Sequence, residues 1–353
     1  MAEKRERDVS LDLARVIAMI FVIAVHTETK PFEYNFYVRE FTYMLLLTCN
    51  PIFFMISGLL NLRKSFGSKE DILAFYGKKL VGIVFPFFIV GTLLYFHNTL
   101  SAGNAPSLLD FHRTFMHGFS TGHLWFVYAL IGLLLSTPIL AKAFQNMSNG
   151  ELNVVFAVCL AWNFVCYYLS ESFGITFSYH TWVMSGWATA YFAGYYCSRV
   201  INDKNRKTVY LLGLAGFIVN IVSARLISGY ANGPDLAAPF LVFAFALFVF
   251  ITNELKVKRA GTKKVITFLS RHSFTVYMLH MLVLEELTPH FIPDFTLEPF
   301  NIKKAVVFLM YVVITLVLCI VMAAALDYLV IFPGQKLLLK LGKKNKNAGA
   351  DAA

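Results

Sequence analysis

The sequence has little charge and few features of a soluble protein. Only 15% of its 353 residues are Asp, Glu, Lys or Arg, whereas 58% are hydrophobic and the mean hydropathy is +0.62. A chain this apolar cannot cover its core with a polar surface in water. No polar stretch is long enough to fold as a separate domain. These shortages exclude an ordinary soluble protein and indicate one that crosses a membrane many times.

The sequence also lacks the signatures of several kinds of site. It has five cysteines, no Cys-x-x-Cys, no Gly-rich phosphate loop, no His-Glu-x-x-His and no repeat of fixed period. The cysteines lie in or beside apolar runs, so we interpret them as small core residues rather than as disulfides or metal ligands. We therefore expect no metal, and no motif indicates nucleic acid as a partner.

Apolar runs of about twenty residues recur along the whole chain. The predicted fold is all-α, with one transmembrane domain over residues 10–333 between a short N-terminal tail, 1–9, and a basic C-terminal tail, 334–353. Because a bilayer needs about twenty apolar residues per helix, we predict ten spans. Their predicted boundaries are 11–30, 40–61, 80–99, 122–144, 152–170, 181–199, 208–228, 236–254, 273–288 and 304–332.

Basic residues are distributed unequally between the two sides of this topology. Most lysines and arginines outside the spans fall on the side that carries both tails. The positive-inside rule therefore predicts cytoplasmic termini and an even number of spans. Topology accounts for most of the net charge of +10. The other segments on this side are 62–79, 145–151, 200–207 and 255–272.

The first apolar run contains an arginine and a histidine, Arg15 and His26, at depths where lipid is expected. At 100° per residue, their eleven-residue offset brings them within roughly 20° of the same helix face, about 16 Å apart along the axis. Each such group costs about 2.5–3.5 kcal/mol inside a span. The alternatives are a packed histidine and an Arg15 paired with Asp12, three residues earlier. We favour a functional pair, with His26 as general base and Arg15 as an anchor for an anion.

Two further segments place polar and aromatic side chains at span ends on the non-cytoplasmic side. One contains His123, Trp125 and Tyr128, and the other contains His280 and Glu285. An aromatic belt at the membrane interface would explain Trp125 and Tyr128, and core packing would explain His280. The residues by themselves leave these explanations open beside a role in ligand binding.

Four segments resemble, in the same order, motifs of the membrane acyltransferase-3 family. The resemblance as a whole covers roughly residues 8–330, which is nearly the whole chain. The matches are Arg15 and His26 to R-x10-H, Pro51 to Gly58 to FFxxSG, His123 to Pro138 to HLWF…TP, and Ser273 to His280 to S…IYLxH.

The resemblance implies transfer of an acyl group, commonly acetyl, from cytoplasmic acetyl-CoA or another acyl-CoA. The acceptor would be a sugar hydroxyl of an exported or cell-surface polysaccharide or of its lipid-linked precursor. The implied location is a bacterial inner membrane, with polysaccharide export machinery as a further partner. His26 matches the family's essential histidine and Arg15 its arginine, so both are expected to be catalytic.

The resemblance also guides which other residues are expected to bind substrates. Many members have an R-x-x-R pair where this chain has Lys79 and Gly82, so one of the two charges is missing. For the donor we expect Arg15 together with Arg63, Lys64, Lys78 and Lys79. For the acceptor we expect His123, Trp125, Tyr128, His280 and Glu285.

A transporter or flippase of lipid-linked sugar, or of the acyl donor, is the alternative function. Polar residues inside a ten-helix bundle also suit a permeation path. Internal repeat symmetry would favour a transporter, and the sequence contains none. A sensor or scaffold is a third possibility, but it gives Arg15 and His26 no reason to share a helix face.

Overall fold

The computed structural model describes residues 7–27, 36–117, 122–174, 185–227, 234–292 and 302–350. These residues form helices and no strands, which confirms the predicted all-α fold. The α-helices are α1 (Val9–Thr27), α2 (Phe36–Leu47), α3 (Cys49–Asn61), α4 (Lys69–Lys79), α5 (Phe85–Ser101), α6 (Leu108–Met116), α7 (Trp125–Gln145), α8 (Asn149–Asn163), α9 (Ser170–Phe173), α10 (Trp187–Val200), α11 (Arg206–Leu226), α12 (Ala238–Asn253), α13 (Ala260–Leu282), α14 (Ile302–Leu326) and α15 (Phe332–Ala350).

Seven stretches of described helix are long and apolar enough to cross a membrane, so the protein is a multi-pass membrane protein. Each of the seven corresponds to a predicted span, whereas 181–199, 236–254 and 273–288 have no counterpart among them. The predicted spans 181–199 and 236–254 correspond to α10 and α12, which have 14 and 16 residues and are shorter than a typical span. The predicted span 273–288 corresponds to the second half of α13, and the first half of that helix is basic. The seven are Val9–Thr27, Tyr37–Asn61, Lys69–Ser101, Gly122–Gln145, Asn149–Leu169, Arg206–Leu226 and Ala305–Gly342.

Several long helices contain a π-helical turn, a feature that often marks functional sites. The turn Leu80–Val84 joins α4 to α5 directly after Lys79, and Asp327–Ile331 joins α14 to α15. Because α15 continues to Ala350, the predicted C-terminal tail begins as helix. Further π-helical turns are Phe164–Leu169 and Val283–Leu287.

Helix α1 lies inside the bundle, packed against α3, α12, α13 and α14. Its small and apolar residues Ala14, Ala18 and Met19 are fully buried at these contacts. Small residues let membrane helices approach closely, where packing rather than water drives association. The helix that carries Arg15 and His26 is therefore a central element of the fold.

Helices α3 and α10 approach each other through a pair of glycines. A Cβ atom on Gly58 would lie 1.7 Å from the carbonyl oxygen of Tyr191, and one on Gly194 would lie 1.8 Å from that of Met55. Because both obstacles are backbone atoms, a larger residue would separate the two helices.

We expect Gly58→Ala to destabilise the fold by about 3 kcal/mol or more, because the added methyl group cannot be accommodated. The matched control is Gly132→Ala in α7, where a Cβ meets nothing within 4 Å. That control gains helix propensity of up to about 1 kcal/mol. Thermal unfolding of the purified variants measures both, and equal midpoints would contradict the close approach.

Candidate active site

Two cavities lie against opposite ends of helix α1, one lined by Arg15 and the other by His26. The Arg15 cavity has a volume of about 240 Å³, and the His26 cavity has a volume of about 320 Å³. Tyr277 of α13 lines both of them. The polar lining of the Arg15 cavity comprises Arg15, Ser57, Asn61, Lys79, Ser270, Ser273 and Tyr277. That of the His26 cavity comprises His26, Tyr43, Cys49, Asn50, His123, Trp125, Asp235 and Tyr277.

Arg15 is held in position by Asp12, one turn earlier in α1. Its Nη1 donates to Asp12 Oδ1 at 3.1 Å and to Ser270 Oγ at 3.3 Å. Asp12 is buried, and it also accepts from Ser270 Oγ at 2.7 Å and from Arg7 Nη2 at 3.0 Å. The ion pair considered for Arg15 is therefore present. It orients a guanidinium group that still lines the cavity.

The predicted basic donor-binding residues are not all brought to the Arg15 cavity. Lys79 lines it at the end of α4, with Nζ 5.3 Å from the ring centroid of Phe75. Lys64 donates to Asn61 Oδ1 at 2.9 Å, so it contacts the lining without forming part of it. The exposed side chains of Arg63 and Lys78 are outside the described lining. Arg15 and Lys79 thus present two cations to one cavity.

Three histidines cluster at the His26 cavity. The ring centroid of His280 lies 5.0 Å from that of His26 and 4.8 Å from that of His123. His123 Nε2 contacts the carbonyl oxygen of Met278 at 3.1 Å, and His280 Nδ1 contacts that of Tyr277. A carbonyl oxygen can only accept, so the ring nitrogen that contacts it carries a proton, and in the neutral ring the other nitrogen is an acceptor. The rings of His123 and His280 are fixed, whereas His26 is exposed to the cavity.

One face of α13 connects the two cavities. Ser270, Ser273, Tyr277 and His280 follow one another at intervals of three or four residues, which places them along one side of the helix. The Tyr277 hydroxyl donates to the backbone carbonyl of His123. This hydrogen bond holds the Tyr277 ring between the two cavities. Ser270 contacts Arg15 and His280 contacts His26, so α13 runs beside α1 in the same direction.

The predicted acceptor-binding residues separate into two groups. His123 and Trp125 line the His26 cavity, and His280 packs directly behind it. Tyr128 instead packs against Phe87 and donates to the Phe115 carbonyl, and Glu285 is exposed in a π-helical turn. Neither Tyr128 nor Glu285 belongs to the described lining of the two cavities.

Sequence reasoning missed Asp235 and Asn50 in the His26 cavity and Ser270 beside Arg15. The polar spacing along α13 was a usable signal for Ser270. Asp235 lies in the 3₁₀ turn Pro234–Leu236, and no spacing connects this turn with His26. The described residues contain no group of three or more His, Cys, Asp or Glu side chains that could hold a metal ion.

Comparison with known families gives a match. The sequence model of a family described as an acyltransferase domain matches residues 8–324. The matched region begins just before α1 and extends almost to the end of α14, so it includes the residues of both cavities. No curated protein and no solved structure matches the chain.

Proposed function

Because the chain belongs to the membrane acyltransferase-3 family, we propose that it transfers an acyl group, in the first instance acetyl, from acyl-coenzyme A to a sugar hydroxyl. The sugar belongs to an exported or cell-surface polysaccharide or to its lipid-linked precursor. One observation carries this proposal. Helix α1 presents Arg15 to one cavity and His26 to another, and Tyr277 lines both.

The donor binds with its phosphates at the Arg15 cavity. Arg15 and Lys79 supply the positive charge, and a guanidinium group can form two parallel hydrogen bonds to a phosphate. Arg15 and His26 are separated by about 16 Å along α1, which is of the order of an extended phosphopantetheine arm. The arm passes Tyr277, and the thioester lies beside His26.

His26 acts as the general base on the acceptor. Its imidazole takes the proton from the sugar hydroxyl as that oxygen attacks the thioester carbonyl carbon. The new C–O bond forms, the C–S bond breaks, and the proton on His26 passes to the departing coenzyme A sulfur. A neutral imidazole is regenerated, so the cycle needs no metal or redox partner.

The proposed topology has ten spans and cytoplasmic termini in a bacterial inner membrane. Helices α10, α12 and α13 are three further spans beside the seven longer ones, because each of the three packs inside the bundle. The common direction of α1 and α13 supports this arrangement, since the first and ninth of ten alternating spans run the same way. The Arg15 cavity then faces the cytoplasmic supply of coenzyme A, and the acceptor side faces polysaccharide export machinery.

Thiol release from acetyl-coenzyme A by the purified full-length protein tests this function. We expect release that depends on a glycan acceptor, with one acetyl group added to the glycan for each thiol, detected by mass spectrometry. Protein that releases no thiol with any of several acyl donors and envelope glycans contradicts the proposal. Movement of lipid-linked sugar across proteoliposomes without thiol release would establish transport instead.

A further inference from the structure

The His26 cavity contains a carboxyl group that the reaction described above does not use. Asp235 precedes α12 and lines the cavity together with Asn50 of α3. Asp235 is partly buried, and burial raises the pKa of its carboxyl to about 6. At pH 7 the carboxylate form still predominates, so Asp235 offers hydrogen-bond acceptors to the cavity.

The two cavities differ in charge. The Arg15 cavity carries Arg15 and Lys79, whereas the described lining of the His26 cavity has one carboxylate and no lysine or arginine. An anionic group in the His26 cavity would face Asp235 with no described cation to balance it, and like charges at close range are unfavourable. Hydroxyl and ammonium groups, in contrast, donate hydrogen bonds to a carboxylate.

The remaining lining suits a small ring with both apolar and polar edges. Trp125 packs against Trp187 at a centroid distance of 5.0 Å, with the two ring planes tilted by 32°, and its exposed part lines the cavity with Tyr43 and Tyr277. A volume of about 320 Å³ is at the small end of ligand sites, which span about 300–1,000 Å³. The cavity therefore accommodates a small part of a glycan.

We propose that Asp235 and Asn50 form an acceptor subsite that binds the hydroxyl groups of a neutral or amino sugar and selects against acidic sugars. The Asp235 carboxylate accepts from a sugar hydroxyl or ammonium group, and the Asn50 amide both donates and accepts. The subsite rests on the proposed function for its role in catalysis. The binding that it predicts is measured without the donor.

Titration of purified full-length protein in nanodiscs with methyl glucoside, methyl glucosaminide and methyl glucuronide tests the subsite. We expect the wild type to bind the first two at least tenfold more tightly than the glucuronide. Asp235→Asn should weaken binding of the first two about tenfold and reduce this discrimination to threefold or less. The control is Asp203→Asn, because Asp203 is exposed and pairs with Arg206 outside the cavity.

Thermal unfolding measures whether each variant is folded. If Asp235→Asn does not fold, Asn50→Ala replaces it in the test, and we expect the same loss of neutral-sugar binding. Equal wild-type affinity for the glucuronide and the glucoside overturns the subsite. So does unchanged selectivity in folded Asp235→Asn, or wild-type protein that binds none of the three glycosides. Wild-type protein that binds neutral glycosides but never releases thiol refutes the proposed function and leaves the subsite standing.

Discussion

Replacing His26 with alanine is expected to lower the rate of acyl transfer by about 10²–10⁴-fold, which is the usual contribution of a general base. The imidazole is exposed to its cavity, and removing it leaves no equivalent base at the same position of α1. His123 and His280 contact backbone carbonyls through one ring nitrogen, so they are held in place beside it. Steady-state thiol release with saturating donor and acceptor measures the loss in kcat.

Two comparisons separate this chemical loss from a loss of structure. His26→Gln keeps a polar side chain of similar size but cannot accept and return the proton, so it should be about as inactive as His26→Ala. His112→Ala is the matched control, because His112 is exposed on α6 and lies outside the described lining of both cavities. A folded His26→Ala variant with wild-type kcat would refute a role for His26 as base.

Replacing Arg15 with alanine is expected to raise the KM for acyl-coenzyme A by about 10- to 100-fold. Loss of a charge-assisted hydrogen bond costs about 1.5–3 kcal/mol, which sets this range. Asp12 keeps its contacts with Arg7 and Ser270 in this variant, so its carboxylate is still paired. Donor titrations by kinetics and by calorimetry measure the effect.

Arg15→Lys distinguishes charge from geometry in the donor site. A lysine keeps the positive charge but loses the planar pair of donors, so we expect an intermediate KM. Lys142→Ala removes an exposed charge near the end of α7 and should leave the KM unchanged. If Arg15→Ala binds the donor as tightly as Lys142→Ala does, the guanidinium only pairs with Asp12 and the donor lies elsewhere.

The pattern of the sequence identified the pair on α1 because both residues belong to one helix. Helical geometry fixes the angle and rise between Arg15 and His26 without any other part of the chain. The apolar runs and the family motifs could also be identified from the sequence, because each is a contiguous stretch of the chain. The family match over residues 8–324 confirms the resemblance. Arg63 and Lys78, which the sequence predicts to bind the donor, lie outside the described lining of the Arg15 cavity. Basic residues near the end of a span are favoured by membrane topology alone, so their charge does not distinguish topology from binding.

By itself, the sequence determined that the protein is all-α, spans a membrane several times and belongs to an acyltransferase family, because hydropathy, helical period and motif order are local properties. Only the tertiary structure decided which side chains meet. Asp235 enters the His26 cavity from a turn more than two hundred residues away in the chain, and Tyr277 lines both cavities because α13 packs against α1. Tyr128 and Glu285 lie outside the described lining of both cavities. The packing of the helices sets the rotation of each helix about its axis and so decides which of its side chains face a cavity.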